Sequence, residues 1–79
     1  MPPRPALDAS DLVTPAAFAD QCGIPRPRVR KWIEHSQRII GRKVEPLGRL
    51  GPYPRYDWND LAELEREMRR RRLARSVAV

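Results

Sequence analysis

Residues 12–33 read LVTPAAFADQCGIPRPRVRKWI, and this stretch decides the fold. Thr14 stands where a helix N-cap belongs, and Pro15 follows at the first helical position, where its missing N–H is no loss. Good helix formers continue through Cys22, and Gly23 then supplies the left-handed residue that commonly ends a helix. Only Ile24 separates this glycine from Pro25, which together with Pro27 suits the cap and first turn of a second helix. Two helices joined by so short a turn make a helix–turn–helix, whose second helix ordinarily enters a DNA groove.

On a helical wheel Val29, Trp32, Ile33 and Ser36 share one side of the second helix, and Arg28, Arg30, Lys31, Glu34 and His35 share the other. The first side packs and the second is free to read. Trp32, flanked by Val29 and Ile33, belongs to the core rather than to a base-stacking platform. Leu12, Val13, Phe18, Cys22 and Ile24 form the apolar side of the first helix, with Cys22 a small buried hydrophobe rather than a reactive thiol.

Outward from this core, residues 1–11 hold three prolines and no apolar periodicity, which predicts a flexible lead. Between residues 39 and 56 fall three of the four glycines and three of the nine prolines, interleaved with Val44, Leu47, Leu50, Tyr53 and Tyr56. That composition predicts a hairpin, with strands at 43–47 and 53–57 joined through 48–52 and Arg49 at or near the tip. Pro46, Pro52 and Pro54 each remove a ladder donor, so the hairpin is short or irregular, an extended loop being the alternative. A third helix starts at the Asp57 cap, with Asp60 at N3, and runs to about Arg72. Trp58, Leu61, Leu64 and Met68 form its apolar stripe, and Glu65/Arg69 and Glu67/Arg71 are favourable i,i+4 pairs. The expected organisation is a lead at 1–11, a domain at 12–72 and a basic, flexible tail at 73–79. The fold class is mainly α with a small β-hairpin, a winged helix–turn–helix in the order α-α-β-β-α.

The chain has 79 residues and a net charge of +6, from 16 Lys+Arg and 10 Asp+Glu, and one small core is all it can bury. Counted along the sequence, residues 1–20 carry −2, residues 21–56 carry +7 and residues 57–79 carry +1. A concentrated basic middle points to a polyanion, with nucleic acid ahead of an anionic membrane because no strongly apolar face accompanies the charge. One cysteine closes no disulfide within the chain, and no run approaches the ~20 apolar residues of a membrane span. The expectation is a soluble, cytoplasmic protein that is not exported. One His and one Cys make no zinc site of the usual kind, and GRLGP around Gly48 lacks the spacing of a phosphate-binding loop. No enzyme activity, metal or cofactor is expected, and His35 reads as an exposed helical residue.

Thr14-Pro15, the alanines 16, 17 and 19, Gly23-Ile24, Val29-x-x-Trp32-Ile33, Gly48-Arg49, Tyr56 and Asp60-Leu61 occur in an order that resembles the small excisionases of the MerR-like winged-helix family. The likeness spans about residues 12–68. It departs from the family pattern at Pro25, where Ser or Thr is usual, and in the longer segment 37–51. The resemblance implies a recombination directionality factor of a phage or mobile element, which binds repeated sites on double-stranded DNA beside other copies of itself, bends the DNA and biases an integrase toward excision. A phage integrase is then a candidate partner, and the host cytoplasm, at the nucleoid, the place of action. Arg26, Arg28, Arg30 and Lys31 are the candidate recognition-helix contacts and Arg49 and Arg55 the wing contacts. Arg69, Arg70, Arg71, Arg72 and Arg75 form a tail that is either solvated or in contact with phosphate or a partner. A small phage transcription regulator on the same fold is the alternative. An RNA-binding protein ranks last, because Trp32, Trp58 and Phe18 fall at core positions rather than among the basic residues.

Overall fold

The structure, a computed structural model, describes residues 12–77; the expected flexible lead at 1–11 and the last two residues of the expected tail lie outside them. The described residues form a mostly helical molecule with a small three-stranded antiparallel sheet. In chain order the elements are β1 (Leu12–Val13), α1 (Pro15–Cys22), α2 (Arg26–Glu34), α3 (Ser36–Ile40), β2 (Gly48–Leu50), β3 (Tyr53–Asp57) and α4 (Trp58–Val77).

Local chemistry sets the first turn of the molecule. Thr14 Oγ1 accepts a hydrogen bond from the Ala17 N–H at 3.2 Å, and Pro15 opens α1. At the other end Gly23 takes φ 68°, a conformation costly for any residue with a Cβ. Its N–H donates to the Asp20 carbonyl and the Ile24 N–H to the Ala19 carbonyl at 2.9 Å, the paired closure that satisfies the orphan carbonyls of a helix end. Ile24 thereby turns inward against the core, and α2 starts two residues later with Pro25 as its cap.

The core is formed by Val13, Phe18, Ala19, Val29, Trp32, Ile33, Val44, Trp58, Leu61 and Leu64. Phe18 meets Trp58 edge to face, with ring centroids 4.9 Å apart, so α1 is keyed directly to the first turn of α4. Both tryptophans are buried, as their spacing predicted. Cys22 is half-buried against this core, and burial followed by the nearby Glu65 charge pushes its thiol pKa up.

Four boundaries differ from the expectation. First, Leu12 and Val13 form a strand, pairing with Asp57 and Tyr56, so the sheet order is β1-β3-β2 with β3 central. Second, the first hairpin strand lies at 48–50 rather than 43–47. The Val44 N–H is taken by Ser36 Oγ and Pro46 has none to give, so the ladder begins only where the Leu47 N–H donates to the Arg55 carbonyl. The connection therefore shrinks to Gly51 and Pro52. Gly51 at φ 61° and the ring-fixed negative φ of proline match a type II′ hairpin turn. Third, α2 ends at Glu34, and His35, exposed as expected, separates it from α3. Fourth, α4 continues past Arg72 to Val77, so residues 73–77 are helical rather than a flexible tail. No glycine or proline interrupts this stretch, and its Leu73, Ala74 and Arg75 are good helix formers.

Candidate nucleic-acid interface

The buried stripe of α2, Val29, Trp32 and Ile33, leaves its cations along both edges. Arg26 and Arg30, four residues apart, share the edge next to the hairpin, while Arg28 and Lys31, three apart, share the far edge. All four are exposed. Arg26 and Arg30 border a cleft of about 560 Å³ that reaches across to Leu50, Tyr53, Pro54 and Tyr56 of the hairpin and to the start of α1. A basic helix edge and a β-ribbon thus flank one concave surface.

The cations are not equivalent. Arg26 donates from Nε at 3.0 Å and Nη2 at 2.6 Å to the two oxygens of Asp20, across the α1–α2 turn. These bonds hold the Asp20 carboxyl below its ordinary pKa and raise that of Arg26. Arg28, Arg30, Lys31 and Arg49 enter no side-chain ion pair among the described residues. A charge without a local partner is the kind a phosphate neutralises at least expense.

The two hairpin arginines differ as well. Arg49, opposite Pro54 in β2, is exposed and lies near the tip, one rung from the last pair of the ladder. Arg55 pairs with Gly48 and is half-buried, and its Nε is buried without a hydrogen-bond partner among the described residues. A Cβ on Gly48 would stand 3.2 Å from Leu12 Cδ1 and 3.8 Å from Arg55 Nη2, so both side chains converge over the space this glycine leaves.

The arginines of α4 are largely tied to the helix itself. Arg69 pairs with Glu65 at 3.6 Å, and both Arg70 and Arg71 pair with Glu67, whose carboxyl is held below its ordinary pKa first by Arg70. Arg71 also donates from Nη2 to the Ile39 carbonyl at 3.1 Å, closing the C-terminal end of α3. In the same region Arg42 bridges Asp60 and Glu63, fastening the loop 41–47 to α4. These contacts give Arg42, Arg69, Arg70 and Arg71 a role within the fold and separate them from the α2–hairpin surface.

Sequence reasoning missed Leu50, Tyr53 and Tyr56 as the wall facing Arg26 and Arg30; no short-range pattern marks it, because it depends on the pairing of β3 with both other strands. No helix among the described residues is long and apolar enough to cross a membrane. No family model, curated protein or solved structure matches the chain.

Proposed function

We propose that this chain is a small sequence-specific DNA-binding and DNA-bending factor on a winged helix–turn–helix, with α2 as the recognition helix in the major groove and the β2–β3 hairpin as the wing. The observation that carries this reading is the concave surface on which the basic edge of α2 and the hairpin lie side by side. A helix fits the major groove of B-DNA, and a flanking ribbon then meets the adjoining backbone or minor groove. Arg30, Lys31 and Arg28 supply phosphate or base contacts from α2, and Arg49 from the hairpin. Four phosphate contacts imply affinity falling about a hundredfold between 50 and 200 mM salt.

Its resemblance to the small excisionases extends the proposal to an accessory factor that binds repeated sites beside other copies and biases a phage integrase toward excision, acting at the host nucleoid. The test is recombination in both directions, with and without the protein, combined with a nuclease footprint on the attachment DNA. Stimulated excision with unaided or inhibited integration, over several short direct repeats, is the expected result. Equal rates in all four reactions with one palindromic footprint would leave a transcription regulator instead.

A further inference from the structure

Four large apolar side chains are exposed among the described residues, Leu47, Leu50, Tyr53 and Leu73, and three of them belong to the hairpin or its approach. Leu50 and Tyr53 face each other across the last rung of the ladder, on either side of the Gly51–Pro52 turn, and each is 59% exposed. The turn positions of a hairpin ordinarily carry Gly, Pro, Asn or Asp, and Gly51 and Pro52 follow that rule. The strand ends on either side of them are the exposed leucine and tyrosine, on a turn fixed by a left-handed glycine and a proline ring, so little freedom is lost when they dock.

The surroundings of this tip select its occupant. Arg49 is exposed on the other face of the ribbon, one residue from Leu50, and Leu50 and Tyr53 border the cleft whose opposite wall carries Arg30, unpaired among the described residues, and Arg26, held by Asp20. DNA matches this combination, offering phosphates to the arginines and base faces to the apolar pair. The dimensions agree: paired strands lie about 4.7–4.9 Å apart and the minor groove is about 6 Å wide, so side chains at the tip enter where the ribbon itself is stopped at the mouth.

We propose, on the basis of the DNA-binding reading above, that Leu50 and Tyr53 form a wedge that enters the minor groove beside the α2 footprint, Leu50 prising open a base step and the Tyr53 ring stacking on the exposed base. Apolar wedges of this kind kink the duplex toward the major groove. The wedge, rather than charge neutralisation by the hairpin arginines, is then the source of the bend, and it favours a pyrimidine–purine step, which unstacks most easily.

The test uses the full chain and a duplex of about 30 base pairs that the chain itself selects from random sequence, with end dyes reporting the bend. 2-Aminopurine replaces adenine at each step in turn to report unstacking. Wild-type protein is expected to raise 2-aminopurine fluorescence several-fold at one step and to shorten the end-to-end distance. Leu50→Ala/Tyr53→Ala, shown by circular dichroism to melt as wild type, loses both signals while the salt slope of binding changes by less than one phosphate equivalent. Leu50→Met/Tyr53→Phe, which keeps the wedge, retains both and guards against a misfolded alanine variant. Binding with an undiminished bend in the alanine variant overturns the wedge and leaves the DNA-binding reading standing. Failure of wild-type protein to shift any duplex at low salt overturns both.

Discussion

Ser36 and Val44 are joined by a buried hydrogen bond, the Val44 N–H donating to Ser36 Oγ at 2.9 Å, with both side chains almost completely inaccessible. This bond folds the loop 41–47 back onto α3 and seats Val44 in the core. Ser36→Ala leaves the N–H buried without a partner, a loss of ~1–3 kcal/mol. In a domain of this size each kcal/mol moves the melting temperature by roughly 4–8 °C. A drop of about 4–24 °C by circular dichroism is expected, and an unchanged Tm would show the loop to be held by Arg42 alone.

Stability should also fall in acid. Asp20 and Glu67 are held below their ordinary pKa values by hydrogen bonds from Arg26 and from Arg70 and Arg71. A carboxyl whose folded pKa is depressed contributes stability that is complete above its unfolded value of about 4 and is lost as pH falls through the lower folded value. Melting temperature is therefore expected to change little on this account between pH 7 and about 5.5 and to fall below pH 4. Asp20→Asn/Glu67→Gln should flatten the acid limb while lowering the neutral plateau; an identical profile in that variant would rule these two pairs out.

What the sequence made legible, and what it hid, follows from the range of the interaction concerned. The α1 cap, its glycine closure and the buried stripe of α2 are encoded within five or so residues, so Thr14, Gly23, Val29 and Trp32 could be placed by spacing alone. The Asp57 cap also holds, with its Oδ1 accepting from the Asn59 N–H at 3.0 Å. Strand β1 is two residues long and carries no alternation; it exists only because β3 offers a partner more than 40 residues later. The hydrogen bond from Val44 to Ser36, eight residues back, likewise keeps residues 43–46 out of the ladder. At the site, exposure of Arg28, Arg30 and Lys31 could be read from the wheel, but the diversion of Arg26 to Asp20 and of Arg71 to the end of α3 could not, since each depends on where a different helix ends.

Binding should be lost through the α2 cations without loss of fold. Arg28, Arg30 and Lys31 are exposed and lie off the buried stripe, so Arg28→Ala/Arg30→Ala/Lys31→Ala is expected to melt close to wild type. A base-reading arginine among them contributes ~1–3 kcal/mol and its loss relaxes specificity, whereas a phosphate contact weakens every sequence alike and shrinks the salt slope by about one. Trp32→Ala, by contrast, removes a buried side chain, for which a loss of ~3–5 kcal/mol is typical, and should unfold much of the population. Unchanged affinity in the folded triple variant would refute α2 as the recognition helix.

The two hairpin arginines should separate into one that binds and one that packs. Arg49 is exposed and unpaired among the described residues, so Arg49→Ala is expected to reduce the salt slope of DNA binding by about 0.9 and leave stability within ~0.5 kcal/mol. Arg55 lies half-buried with its guanidinium over Gly48, and its Nε is buried without a partner among the described residues. Arg55→Met keeps the stem and removes a buried polar group that, unsatisfied, costs ~1–3 kcal/mol, so its Tm should equal or exceed that of wild type. Arg55→Ala removes the stem as well and should melt lower. Thermal melts and binding isotherms at several salt concentrations decide the assignment. If Arg55→Met lowers the salt slope by one while Arg49→Ala leaves it intact, Arg55 is the residue that meets the phosphate and Arg49 is merely solvated.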